Sequence, residues 1–165
     1  MERRSKERVL PIEIYTDGSL KKLGDKTFGG WGYVILRDNK EVFTASGAEH
    51  DTTNQRMELM AVAEALKYIY MNRRKSEKVI VYSDSAYFVN CYLQEWYLKW
   101  QANGWTNANG KEVANQDLWR EIIPFFDNFW YDFRKVEGHT NIYWNEYVDS
   151  LAQKQAELSK RDWRG

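Results

Sequence analysis

Cysteine is almost missing from this chain. Its 165 residues include Cys91 alone, which excludes an internal disulfide framework and a cysteine-built zinc site. Proline is scarce too, at two residues, which does not fit a disordered, low-complexity chain. No apolar run approaches the length of a membrane span. The first eight residues are polar and hold no hydrophobic signal region, so a reducing, cytoplasmic setting is expected. Net charge is absent as well: 24 Lys and Arg balance 24 Asp and Glu. Taken alone, that balance counts against a protein that coats nucleic acid. Aromatic residues are abundant at 16%, and the length suffices to bury a sizeable core. Residues 1–10 read as a charged lead and 11–165 as a single domain.

The patterning changes period along the chain. Ile12-Glu13-Ile14-Tyr15-Thr16 alternates as a half-buried strand does, and Asp17-Gly18-Ser19 reads as the turn that ends it. Residues 20–30 read as a Lys/Gly-bearing loop. Residues 31–36 and 41–46 have strand character around an Asp38-Asn39 turn, giving an antiparallel meander. Thr52-Thr53-Asn54 offers a helix N-cap, and Met57, Met60, Ala61, Ala65, Leu66 and Ile69 then recur at helical spacing. Residues 79–82 form a short apolar run, as in a strand buried on both faces. Helical patterns follow from Ser85 and over 95–101. Residues 102–114 make an Asn/Gly-rich loop, and 117–126 a helix capped by Asn115 or Asp117. Residues 130–136 read as a last strand and 145–158 as a final helix. The expected fold is α/β: a mixed five-stranded sheet, an antiparallel meander plus parallel strands, flanked by helices.

Four acids occupy informative places. Asp17 and Asp84 follow strands, where loops converge on ligand sites. Glu58 sits early in the first long helix between Met57 and Leu59. Asp149 lies on the last helix, with Asn145 one turn before it on the same face. Taken singly, each acid has an ordinary reading as a turn or helix-start residue, and spacing does not set that aside. If they cluster, they repel one another unless cations compensate. All-oxygen donors favour hard cations such as Mg²⁺ or Mn²⁺.

The motifs themselves are more specific. Tyr15-Thr16-Asp17-Gly18-Ser19, Thr53-Asn54-Gln55-Arg56-Met57-Glu58-Leu59, Tyr82-Ser83-Asp84-Ser85 and Val136-Glu137-Gly138-His139 with Asn145–Ala152 resemble type 1 ribonuclease H, bacterial and handle-containing, in that family's order. The resemblance spans residues 11–158. It implies a ribonuclease H-like fold and endonucleolytic hydrolysis of the RNA strand of RNA–DNA hybrids, leaving 5′-phosphate and 3′-hydroxyl ends. It implies two Mg²⁺ ions, with Mn²⁺ as a substitute, held by Asp17, Glu58, Asp84 and Asp149. It gives His139 a part in proton transfer or product release. It places Thr53, Asn54, Gln55, Trp96, Asn115 and Asn145 against the substrate. A monomer with no membrane partner is expected.

Two departures stand out. Residues 20–28 lack the Gly-Asn-Pro-Gly pattern of many bacterial members and carry Lys21, Lys22 and Lys26 instead. The handle-like stretch 95–117 has two lysines, Lys99 and Lys111, against Glu95, Glu112 and Asp117, where the family is usually strongly positive. Substrate binding weaker or differently placed than in basic-handle members is the expectation. Rival readings are another two-metal nuclease of the same fold, a non-catalytic hybrid-binding module, and a sugar-processing enzyme with paired carboxylates. The Asn54–Glu58 motif and the presence of all four acids weigh against each.

Overall fold

The computed structural model describes residues 10–136 and 142–164. A long meander comes first: β1 (Ile12–Leu23), β2 (Lys26–Arg37) and β3 (Lys40–His50). Helix α1 (Asn54–Asn72) leads into β4 (Val79–Ser83). Helices α2 (Ala86–Gln94), α3 (Trp96–Ala102) and α4 (Gln116–Ile122) precede β5 (Tyr131–Lys135), and α5 (Ile142–Arg161) closes the chain. The sheet order is β3-β2-β1-β4-β5. The meander is antiparallel, while β4 runs parallel to both β1 and β5. This is the expected mixed sheet.

Alternation along β1 sends its side chains to two layers. Ile12 and Ile14 join Leu66, Val79, Val81 and Trp119 in the larger core, on the α1 side. Tyr15 faces the other way and packs with Val34, Leu36, Tyr82 and Val148 beneath α5. Trp100 and Trp119 are buried, as their helical spacing predicts.

One expectation is corrected. Asp17-Gly18-Ser19 does not end a strand, and residues 20–30 are not a loop. β1 and β2 pair continuously from Glu13↔Leu36 to Leu23↔Lys26, with Asp17 opposite Gly32. Glycine in a strand reads as a breaker, yet it also marks close backbone approach. A Cβ on Gly18 would lie 2.5 Å from the Glu58 backbone nitrogen, and one on Gly30 would lie 2.0 Å from the Ala152 carbonyl oxygen. These glycines let α1 and α5 dock on opposite faces of the hairpin. What does stop near Asp17 is the parallel pairing of β1 with β4, whose last pair is Thr16↔Ser83. The helix expected over 117–126 divides into α4 and a short 3-10 turn, Ile123–Phe125, where Pro124 lacks the N–H of a continuing helix.

At the far end of the sheet, Arg37 donates two hydrogen bonds to Glu77, at 3.1 and 3.0 Å. Glu77 is only 8% exposed and also accepts from the Arg74 backbone N–H at 2.7 Å. The Arg37 guanidinium holds its carboxyl below the ordinary value. A depressed acid stabilises the fold above the usual carboxylate range and loses that contribution as pH falls through it. Glu77→Ala strands a guanidinium and a backbone donor, so a loss of about 2 kcal/mol and a drop of about 4–8 °C in thermal midpoint are expected at pH 7 by calorimetry. The gap between variant and parent should narrow towards pH 3.

Candidate active site

Four elements deliver the four acids to one place. Asp17 projects from β1 just past the end of β4 and is 6% exposed. Its Oδ1 accepts the Gly18 N–H at 2.8 Å. The missing Cβ of Gly18 admits the first turns of α1, which sets Glu58 within hydrogen-bonding reach of Asp17. Asp84 follows the last residue of β4, half-exposed, with the Lys135 Nζ at 3.8 Å. Asp149 rides on α5 and reaches Asp17 from the opposite face; its Oδ2 accepts from the Gln153 side-chain amide at 2.8 Å.

Burial dominates the electrostatics. Desolvation, then the Glu58 charge, push the Asp17 carboxyl up to about 8, against the pull of the Gly18 N–H. Desolvation also pushes Glu58 up, to about 7; its bond with Asp17 opposes this and the Asp84 charge adds to it. The pair therefore holds a proton at neutral pH unless a cation takes its place.

The donor set fits hard divalent cations. All four candidate side chains are carboxylates, and Cys91 is no rival: it is buried, its thiol pushed up to about 12 by desolvation. Glu58 Oε1 is buried without a hydrogen-bond partner, and so is Asn145 Oδ1 on the first turns of α5. Such orphaned acceptors are costly unless something donates to or binds them. Among the described residues, no three His, Cys, Asp or Glu side chains are drawn together closely enough to hold a metal ion as they stand. The carboxylates make an open series: Asp84 near Glu58, Glu58 near Asp17, Asp17 near Asp149.

Of the expected substrate residues, Asn54 and Gln55 share a cleft with Glu58. The Thr53 hydroxyl caps α1 by accepting the Arg56 N–H at 3.1 Å. Asn54 leans on Glu58 Oε2 at 3.5 Å, and Gln55 bonds the Tyr87 hydroxyl. A cleft of about 570 Å³ opens beside Asn54, Gln55 and Glu58, with Tyr87 and Lys111 across it. Trp96 is half-buried, packs its ring 5.6 Å from Tyr87 and donates its indole N–H to Gln94. Asn115 caps α4 in a left-handed conformation, φ 62°. His139 lies outside the described residues. His50 is exposed, its ring edge-on to Trp163 and Phe28.

Three contributors were not anticipated. Arg56 joins Glu49 of β3 at 3.0 Å, Asn115 Oδ1 at 3.2 Å and Asp117 at 2.8 Å. It thereby ties the start of α4 to the start of α1, and turns the Asn115 amide N–H₂ away from itself. Tyr87 supports both Gln55 and Trp96. Lys135 is the cation beside Asp84. Arg56 stands inside a quoted motif, but its partners on α4 are about sixty residues away, and no local signal announces them.

Comparison with known proteins identifies the family. The family model described as RNase H matches residues 10–157. A ribonuclease H of Syntrophomonas wolfei subsp. wolfei is 48% identical over 144 residues, covering 86% of this chain and 93% of its own. The crystal structure of LC9-RNase H1, described as a type 1 RNase H with the type 2 active-site motif, superposes with a TM-score of 0.74 at 27% identity, covering 93% of this chain and 75% of that one. The crystal structure of LC11-RNase H1 in complex with an RNA/DNA hybrid shares the fold at a TM-score of 0.61 and 20% identity, covering 90% and 99% of the two chains. By family model, sequence identity and architecture together, this chain belongs to the ribonuclease H family.

Proposed function

We propose that this enzyme hydrolyses the RNA strand of RNA–DNA hybrids with two Mg²⁺ ions, or Mn²⁺ in their place, giving 5′-phosphate and 3′-hydroxyl ends. The observation that carries this reading is the convergence of Asp17, Glu58, Asp84 and Asp149 around a buried Asp17, with Asp17 and Glu58 both raised by burial and one Glu58 oxygen unpartnered. The hybrid bound to the similarly folded LC11-RNase H1 supports the substrate class. Bound ions would neutralise charge spread over the phosphate and lower the pKa of a coordinated water.

The chain's own residues do the rest. Asp17 and Asp149 hold the water-side position, and Asp17, Glu58 and Asp84 the leaving-group side. Thr53, Asn54 and Gln55 meet sugars and phosphates at the helix start, where amide donors and the helix dipole favour anions. A hybrid shows 2′-hydroxyls in a wide, shallow minor groove, which the short Asn and Gln side chains can read. Asn115, oriented by Arg56, offers its amide N–H₂ to a DNA phosphate. Trp96 packs on a DNA sugar, and Asn145 lies one turn ahead of Asp149. His139 accepts or delivers the proton, or eases product release.

The test is a labelled RNA–DNA hybrid, an RNA duplex and a DNA duplex, each incubated with Mg²⁺ or with chelator. Cleavage of the hybrid alone, in Mg²⁺ alone, is expected. Cutting of the DNA duplex, or hybrid cleavage that survives chelation, overturns the assignment.

A further inference from the structure

The end of the molecule farthest from the four carboxylates carries an unexplained surface. Helix α1 starts at the site and ends away from it. Its 19 residues span about 28 Å at the usual rise. β4 and β5 likewise finish near the site and begin at the far end. There, Arg73, Arg74, Lys75 and Lys78 fall within six consecutive residues. The only acid among them is Glu77, and its carboxylate is engaged by Arg37. Among the described residues none of these four cations is in a salt bridge.

Exposed rings stand beside the cations. Phe129 is 73% exposed and Tyr70 is 62% exposed. The Lys78 Nζ lies 4.0 Å above the Phe129 ring, and the Arg73 guanidinium lies 5.5 Å from the Trp130 ring. Cation–π contacts of this kind hold the rings at the surface with one face charged. A groove of about 480 Å³ opens alongside, walled by Pro11, Ile80, Tyr92 and Phe129, with Lys78 and Arg134 on its rim. Its acids are engaged: Asp132 with Arg134 at 2.9 Å and the Tyr92 hydroxyl at 3.1 Å, Asp127 with the Tyr97 hydroxyl at 3.4 Å.

We propose that this far-end surface binds a single-stranded segment of nucleic acid, its phosphates on Arg74, Lys75 and Lys78 and a base stacked at Phe129. Cations tracking a backbone beside rings that accept any base are what sequence-tolerant single-strand binding requires. The site is an addition to hybrid cleavage, and it relocates the positive surface that residues 95–117 lack.

The test uses the full chain in chelator, with fluorescent twelve-nucleotide oligothymidylate and oligouridylate, read by anisotropy over a salt series. Binding to either is expected, and a difference between the two identifies the preferred sugar. The triple variant Arg74→Ala, Lys75→Ala, Lys78→Ala should weaken binding about tenfold and flatten the log–log salt slope by about 2, three phosphates' worth for a single strand. Phe129→Ser should weaken it several-fold with the slope unchanged. Both variants should cleave a short blunt hybrid in Mg²⁺ like the parent. Oligonucleotide binding untouched in the variants overturns the site. So does polyglutamate competing as well as the oligonucleotides with Phe129→Ser silent, which would mark a mere acid-attracting patch. Failure of the parent to cut the blunt hybrid bears on the catalytic reading alone.

Discussion

Asp17→Asn is expected to abolish hydrolysis and, in chelator at pH 8, to raise the thermal midpoint. The activity loss should be at least about a thousandfold, since a metal clamp contributes several kcal/mol to the transition state. The stability gain comes from the same carboxylate. Asp17 and Glu58 have raised folded-state values, about 8 and about 7, against 3.8 and 4.5 for the free groups. A raised acid binds its proton more tightly folded than unfolded. Its stabilising contribution is complete below about pH 4 and is lost as pH rises through 7 to 8. The metal-free enzyme should therefore melt lower at pH 8 than at pH 5. Asparagine removes one charge, keeps an oxygen for the Gly18 N–H, and relieves that loss. A gain of about 1–2 kcal/mol, or about 2–8 °C, is the expected size. Mg²⁺ should raise the midpoint of the parent more at pH 8 than at pH 5, and barely move the variant. Calorimetry at the two pH values, with and without Mg²⁺, checks all four corners. A variant that melts lower than the parent in chelator at pH 8 would contradict the account of an uncompensated cluster.

Gly30→Ala should be among the most damaging single-methyl changes in the chain. Its Cβ would lie 2.0 Å from the Ala152 carbonyl oxygen and 2.7 Å from the Ala156 nitrogen. Both are helix backbone, so relief requires moving α5 as a body. A cost of about 3 kcal/mol, with a fall of about 6–12 °C in midpoint, is expected. Activity should fall even well below that midpoint, because Asp149 rides on the same helix three residues before Ala152. Gly24→Ala, at the hairpin tip, is the control. It meets nothing within 4 Å but has φ 63°, so it should cost about 1–2 kcal/mol of strain with normal turnover. If Gly30→Ala proved as benign to activity as Gly24→Ala, glycine-mediated docking of α5 would not be what places Asp149.

Much of the fold and of the site is legible in the sequence. The alternation of Ile12 and Ile14, the Thr53 cap and the apolar run at 79–82 are local signals, and local signals survive folding. The four acidic motifs were legible because each carries its neighbours with it. The hairpin is hidden at Gly18, Gly29 and Gly30, since a glycine that admits a helix looks the same in sequence as one that makes a turn. Arg56, Tyr87 and Lys135 were missed because their significance lies in partners from other elements: the bonds from Arg56 to Asn115 and Asp117 cross 59 and 61 residues. The buried, unpartnered oxygen of Glu58 could not be foreseen at all, since burial at a junction of helix and sheet is decided by packing.

The four carboxylates come from the first strand, the first helix, the end of the fourth strand and the last helix. No contiguous segment contains more than part of the set unless it runs nearly the whole length of the chain. During synthesis, Asp17, Glu58 and Asp84 can gather while Asp149 is still to come, and that helix must then seat itself against Gly30 and Gly32, where a Cβ would meet Ala152 and Leu151. Turnover thus makes a stringent reporter of complete folding. In a refolding experiment, recovered activity should track the arrival of residues 142–161, later than any signal from the meander.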